Sequence, residues 1–201
     1  MSRKEDASHI GVLALQGAFD VHARRLAEIG AEPIEIRTPE ELASLDGLVL
    51  PGGESTTMLR FLERGGFFEL LQDYVRRTPT FGTCAGAILL AAHVESPAQR
   101  SLAVLDITVE RNAYGRQIDS MILTEPTSLP GGPLEMVFIR APRIRSVGPG
   151  IQTLATRDGY PALVRSRHLL AATFHPELSA DLRVHQLFLE IVRAHKQSPN
   201  Q

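Results

Sequence analysis

The chain is predicted to be an α/β protein with three layers, a mostly parallel sheet carrying helices on both faces and extended by antiparallel strands. Three observations predict it. Short continuous apolar runs, such as residues 10–15 (I-G-V-L-A-L) and 47–50 (G-L-V-L), mark strands buried on both faces. Through the first half these runs alternate with segments of helical spacing, as parallel β-α-β units require. After about Leu102 the rhythm changes, and strand-like segments follow one another with turn chemistry between them.

The elements follow in order. After the first strand, residues 19–29 place Phe19, Leu26, Ala27 and Ile29 at helical spacing, and Gly30 supplies the stop. Residues 33–36 form a second short strand, and 39–45 a helix with Thr38 as its cap and Pro39 at its first turn. The third strand, 47–50, is broken by Pro51-Gly52-Gly53. A helical region spans 55–77, interrupted at Gly65-Gly66. A strand through Thr80 and Phe81 then leads to Cys84, and a run of helix formers, 85–92, leads out. Strands are expected at 104–109, 120–124, 134–139, 151–157, 162–165 and 169–174. Residues 181–195 form a final amphipathic helix with Arg193 and His195 near its end. Residues 126–133 (P-T-S-L-P-G-G-P) are a turn-rich loop without an assigned role.

A length of 201 residues suits one domain, 1–201, with residues 1–8 and 197–201 as flexible tails. Net charge is −2, so no basic field argues for nucleic acid or an anionic membrane. No apolar run approaches the roughly 20 residues that span a bilayer. The polar first residues lack the apolar core of a signal peptide. One cysteine excludes an internal disulfide and a multi-cysteine metal site, which fits a reducing cytoplasm.

That cysteine sits in Gly82-Thr83-Cys84-Ala85-Gly86, where a strand turns sharply into a helix. This geometry projects a nucleophile over a sheet edge, and the helix start favours a thiolate. A buried structural cysteine is the alternative. Downstream, Thr173-Phe174-His175-Pro176-Glu177 follows a strand. It offers Cys84 a base, His175, and an orienting carboxylate, Glu177. The other six histidines lack such a setting. In Pro51-Gly52-Gly53-Glu54-Ser55-Thr56-Thr57 a glycine pair frees backbone N–H groups. With the N–H of Ala85, Gly52 and Gly53 suit an oxyanion hole. Ser55 also suits an N-cap. A phosphate loop is the weaker reading, because the Walker lysine is absent.

Together these blocks resemble the class I, triad-type glutamine amidotransferases, whose fold is flavodoxin-like. The finer resemblance is to the glutaminase subunits of pyridoxal 5'-phosphate synthase. It is carried by Leu15-Gln16-Gly17-Ala18, Pro51-Gly52-Gly53-Glu54-Ser55-Thr56-Thr57-Met58, Glu110-Arg111-Asn112-Ala113-Tyr114-Gly115-Arg116-Gln117, Phe138-Ile139-Arg140-Ala141-Pro142 and Phe174-His175-Pro176-Glu177-Leu178. The resemblance implies Cys84 as nucleophile, His175 as base and Glu177 as its orienter. It implies Gly53, Glu54, Ser55, Arg111, Ile139 and Arg140 as glutamine-binding positions. It further implies L-glutamine as substrate, no cofactor or metal, and, as partner, a barrel-type synthase subunit, with no nucleic acid or membrane. Gln16, beside the expected oxyanion hole, is the candidate for sensing that partner. The competing readings are a glutaminase subunit of another pathway, such as imidazole glycerol phosphate synthase, and a catalytically silent binding module of the same fold.

Overall fold

A computed structural model describes residues 7–113 and 120–197. In chain order they form β1 (His9–Leu13), α1 (Phe19–Glu28), β2 (Glu32–Ile36), β3 (Gly47–Leu50), α2 (Ser55–Glu63), α3 (Phe67–Val75), β4 (Thr80–Thr83) and α4 (Ala85–Leu90). The chain continues through β5 (Ala91–Glu95), β6 (Leu105–Glu110), β7 (Ser120–Glu125), β8 (Leu134–Ile139) and β9 (Arg143–Val147). It closes with β10 (Gln152–Arg157), β11 (Tyr160–Ser166), β12 (Leu169–Ala172) and α5 (Arg183–Gln197).

Seven strands make the main sheet in the order β10-β11-β12-β4-β3-β1-β2. The five from β12 to β2 run parallel, while β11 and β10 are added antiparallel at one edge. The apolar runs of β1 and β3 are continuous because these two strands are buried on both faces. In β3, Leu48 and Leu50 enter a core with Met58, Phe68 and Leu71 of α2 and α3. Val49, between them, enters the opposite core with Leu26 of α1 and Phe188 of α5. One-residue alternation thus feeds two cores from one strand.

Several local expectations are corrected. The predicted helix at 39–45 is only a 3₁₀ turn, Pro39–Leu42. The Glu41 carboxylate accepts from the backbone N–H groups of Arg37 (2.6 Å) and Thr38 (2.9 Å), which tightens that turn. Buried Leu42 anchors it, and the chain leaves helical geometry at Ala43. The helix after Cys84 stops at Leu90, and Ala91–Glu95 instead pairs in parallel with β6. Cross-strand pairing of a buried backbone outweighs the helix propensity of Ala91 and Ala92. The segments expected at 104–109, 120–124 and 134–139 do not extend the main sheet. They build two small sheets, β5-β6-β9 and the β7-β8 pair. Strand β9 was not expected, since only Ile144 in it is buried and no alternation marks it.

Ser8, expected in a flexible tail, is buried, and its carbonyl accepts from the Glu32 N–H at 2.9 Å. Gln197, assigned to the other tail, is the last residue of α5. Residues 1–6 and 198–201 lie outside the described residues. The turn-rich loop at 126–133 acquires a structural account. The Arg183 guanidinium donates to the carbonyls of Pro130 (2.9 Å), Gly132 (2.8 Å) and Pro133 (2.7 Å) while paired with Asp181 at 2.6 Å. One planar fork thereby fastens the loop to the start of α5.

Candidate active site

The C-terminal ends of β1, β3, β4 and β12 converge at one edge of the parallel sheet, the usual place for ligands in open α/β folds. From these four ends come Gln16, the Gly52-Gly53-Glu54 loop, Cys84 and His175. Cys84 lies between β4 and α4 with φ 47° and ψ −101°, an unfavourable backbone state for a non-glycine residue. Gly86 permits the tight turn that follows, because a Cβ there would overlap the Leu50 carbonyl. The Cys84 N–H donates to the Ala172 carbonyl at 2.8 Å, tying the nucleophile turn to the end of β12.

His175 follows that strand, and its own N–H donates to the Val137 carbonyl at 2.8 Å. Its Nδ1 stands 2.7 Å from Glu177 Oε1, and the ring lines the same cavity as Cys84. Glu177 is fully buried in a 3₁₀ turn, Pro176–Leu178, whose geometry folds the carboxylate back under the imidazole. Burial pulls the His175 pKa down, but hydrogen bonds and charge from Cys84 and Glu177 outweigh it and push it up to about 10. Burial likewise raises the Glu177 pKa. The adjacent His22 ring and the hydrogen bond and charge of His175 reverse this and hold it below the usual carboxylate range. A base kept protonated beside a thiol favours a thiolate–imidazolium pair, the reactive form of a cysteine nucleophile.

Gly52 packs directly on this pair: a Cβ there would overlap the His175 ring and approach Cys84 Cβ to 3.4 Å. The next residues are clasped by Gln16. Its Nε2 donates to the Glu54 carbonyl (3.1 Å), and its Oε1 accepts from the Glu54 N–H (3.2 Å). The N-cap expected at Ser55 falls instead to Glu54, whose carboxylate accepts from the N–H groups of Thr56 (3.1 Å) and Thr57 (2.7 Å). The longer carboxylate reaches both amides, leaving Ser55 as the first helical residue with its hydroxyl donating to Gln99 Oε1 at 3.0 Å. Gln99 was not singled out from the sequence, since nothing local marks it.

A cavity of about 210 Å³ opens over Cys84. It is lined by Gly53, Glu54, Ser55, Cys84, Arg111, Ile139, Arg140 and His175, together with Ile88 and Asn112. This is smaller than the roughly 300–1,000 Å³ of drug-sized sites and suits a single amino acid. Arg111 is largely buried. Its Nη2 donates to Thr56 Oγ1 at 2.8 Å and lies 3.6 Å from Glu54 Oε1. Arg140 is exposed and takes φ 44° just after β8. Ala85, Gly52, Glu177 and Gln16 are not among the residues that line the cavity. The Tyr114-Gly115-Arg116-Gln117 part of the arginine block lies outside the described residues. A larger cavity, about 350 Å³, between Leu129, Pro130 and α5 shares no lining residue with the one over Cys84.

The histidines dismissed from the sequence include two that the fold brings to the site. His22 of α1 and His185 of α5 are completely buried, and His22 Nε2 lies 3.3 Å from Glu177 Oε2. A spacing signal was present. His22 shares a helical face with Leu26 and Ile29, and His185 with Phe188, Leu189 and Val192. Burial lowers the pKa of both from the ordinary 6.5. The unfolded chain therefore takes up protons at these sites as pH falls through 6.5, before the folded chain does, and stability declines in that window. The melting temperature is expected to fall between pH 7 and pH 5, because the two buried histidines outweigh His175, whose pKa raised to about 10 acts in the opposite sense, with a further loss below about 4.5 as Glu177 is protonated. A His185→Leu variant should show a shallower decline. A flat melting temperature from pH 7 to pH 5 would contradict this.

Among the described residues, no helix is long and apolar enough to cross a membrane, and no cluster of three or more His, Cys, Asp or Glu is arranged to hold a metal. The chain is 60% identical over 184 residues to the "Pyridoxal 5'-phosphate synthase subunit PdxT" of Koribacter versatilis, covering 92% of this chain and 95% of the relative. It is 50% identical over 187 residues to the protein of that name from Solibacter usitatus, covering 90% and 97%. A crystal structure described as a glutamine amidotransferase superposes with a TM-score of 0.84 at 43% identity, covering 92% of this chain and 98% of that one. A glutamine amidotransferase from Thermotoga maritima, at 16% identity and TM-score 0.59, covering 96% of this chain and 86% of that one, shares the fold. The model of the SNO glutamine amidotransferase family matches residues 12–194, and the chain belongs to that family.

Proposed function

We propose that this chain is the glutaminase subunit of a pyridoxal 5'-phosphate synthase. It hydrolyses L-glutamine to L-glutamate and ammonia and hands the ammonia to a barrel-type synthase subunit. The observation that carries the chemistry is the Cys84–His175–Glu177 line at the floor of an amino-acid-sized cavity. The Cys84 thiolate attacks the side-chain amide carbon of glutamine. Backbone N–H groups of Gly52, Gly53 and Ala85 receive the developing oxyanion. The His175 imidazolium protonates the departing nitrogen, leaving a γ-glutamyl thioester. Water, deprotonated by the now neutral His175, attacks the thioester, and the released thiolate regains its imidazolium partner. The exposed guanidinium of Arg140 and the cavity face of Arg111 suit the α-carboxylate of glutamine.

Ammonia released into bulk water is protonated and lost to chemistry, so its use calls for a docked acceptor. Co-purification with the barrel subunit, then glutamine hydrolysis with and without it, tests this reading. Failure to bind that subunit, or hydrolysis indifferent to it, would contradict the assignment. Gln16 is the proposed sensor of docking, because it holds both backbone polar groups of Glu54 in the loop over Cys84. Gln16→Ala is expected to reduce partner-stimulated turnover about tenfold, the cost of roughly 1.4 kcal/mol of lost loop positioning. Unchanged stimulation would remove Gln16 from the mechanism.

A further inference from the structure

Behind Glu177, on the side away from Cys84, polar groups continue in a line through an otherwise apolar core. His22 Nε2 stands 3.3 Å from Glu177 Oε2 and 3.1 Å from Thr83 Oγ1, the residue preceding the nucleophile. His22 Nδ1 stands 3.0 Å from His185 Nε2. Both imidazoles are fully buried, and the Phe81 ring meets each of them edge-on, at centroid distances of 6.1 and 5.9 Å. His185 Nδ1, at the end of the line, has no hydrogen-bond partner among the described residues.

Counting protons favours one arrangement. His175 Nδ1–H occupies Glu177 Oε1, so Oε2 needs a donor in a place that water does not reach. A lone pair on His22 Nε2 would face the carboxylate oxygen across 3.3 Å of dry core. The proton therefore sits on His22 Nε2, hydrogen-bonded to Thr83 Oγ1 and facing Glu177 Oε2, which has no hydrogen-bond partner among the described residues, and His22 Nδ1 carries the lone pair. That lone pair accepts from His185 Nε2–H, leaving a lone pair on His185 Nδ1. The reverse order would leave an unpaired N–H there instead, which buried structures tolerate less well.

We propose that His22, set in its tautomer by His185, is a positioning residue of the triad: its Nε2–H, bonded to Thr83 and 3.3 Å from Glu177 Oε2, is the second donor dipole that keeps Glu177 ionised and aimed at His175. The proposal rests on the reading of Cys84, His175 and Glu177 as the catalytic set. Burial keeps both histidines neutral near pH 7, as the proton count requires. The charged groups facing the pair are Glu177 and His175 from the turn after β12, and Arg25 from α1. Arg25 Nε donates to the Glu177 carbonyl at 3.1 Å, and its charge disfavours a proton on His185.

The test is steady-state glutaminase kinetics of the complex with the barrel subunit. His22→Leu is expected to lower kcat about 10- to 100-fold with KM held within twofold, the range that hydrogen-bond partners behind metal-ligating side chains command. It should also move the acid limb of the kcat/KM profile up by about one pH unit, because a carboxylate that loses a donor to its charged form is easier to protonate. His22→Gln, whose amide N–H₂ replaces the Nε2 donor, is expected to recover most of kcat and return the limb. His185→Leu should fall between the two. Leucine and glutamine variants impaired equally would overturn the proposal, as would a folded His22→Leu protein with native kcat and pH profile. If the leucine variant does not fold, nitrogen NMR of histidine-labelled wild-type protein decides. A pyrrole-type Nε2 and a pyridine-type Nδ1 on His22 support the proposal, and an imidazolium or the opposite tautomer overturns it. Glutamine hydrolysis that persists in Cys84→Ala would instead sink the underlying catalytic reading, which separates the two failures.

Discussion

Replacing Cys84 with alanine is expected to reduce glutamine hydrolysis by at least about 10⁴-fold, as loss of the nucleophile does in other triad hydrolases. The fold should survive. Alanine meets the same backbone cost at φ 47° that cysteine already meets, and the glycines that allow the turn are untouched. The lost Sγ leaves a space no larger than a methyl group, costing on the order of 1 kcal/mol. Binding of the barrel subunit should be retained, since Cys84 is only 6% exposed. The measurement is glutamate release from the assembled complex, alongside a melting curve. Cys84→Ser is expected to lose nearly as much, because a hydroxyl is a far weaker acid than a thiol and does not form the anion with His175. Turnover of either variant near the native rate would exclude thioester chemistry.

The contrast between what was legible in the sequence and what was not follows the range of the contacts. Cys84, the Gly52-Gly53 pair and His175 with Glu177 each lie in a stretch where strand, turn and helix signals adjoin. The 91-residue gap between Cys84 and His175 is invisible locally. It closes because β12 returns to pair in parallel with β4, with Ala172 opposite Thr83. The helix predicted through Ala92 failed because a parallel partner more than ten residues away, β6, claims Ala91. His22 and His185 looked like ordinary members of amphipathic helices. Only the packing of α1 and α5 on the same face of the sheet turns them toward each other across 163 residues. Gln99 and Arg183 are similar cases: each acts on a loop far away in sequence, so its meaning lies in topology.

Glu177→Gln should have the second-largest effect, a drop in kcat of about 10³–10⁴-fold, the scale seen when a triad carboxylate becomes a carboxamide. The Glu177 carboxylate accepts on Oε1 from His175 Nδ1–H at 2.7 Å, and its Oε2 faces His22 Nε2, protonated in the proposed tautomer, at 3.3 Å. A carboxamide has one acceptor and one donor, so its NH₂ must meet an N–H in either orientation. Turned toward His175, it forces the proton onto Nε2, and the imidazole no longer accepts the thiol proton. Turned toward His22, it reverses the histidine line and strands an N–H at His185 Nδ1 in the core, costing about 1–3 kcal/mol. Either way the imidazolium loses its counter-charge. The His175 pKa, held at about 10 by Cys84 and Glu177 against burial, must fall, and the basic limb of kcat/KM should move down with it. KM should change little, because Glu177 does not line the cavity. The informative comparison is the double variant with His22→Leu. If His22 acts only through Glu177, its loss adds almost nothing once the carboxylate is gone, and the two effects are strongly non-additive. Additive losses would mean that the buried histidine pair supports the site by a route that bypasses Glu177.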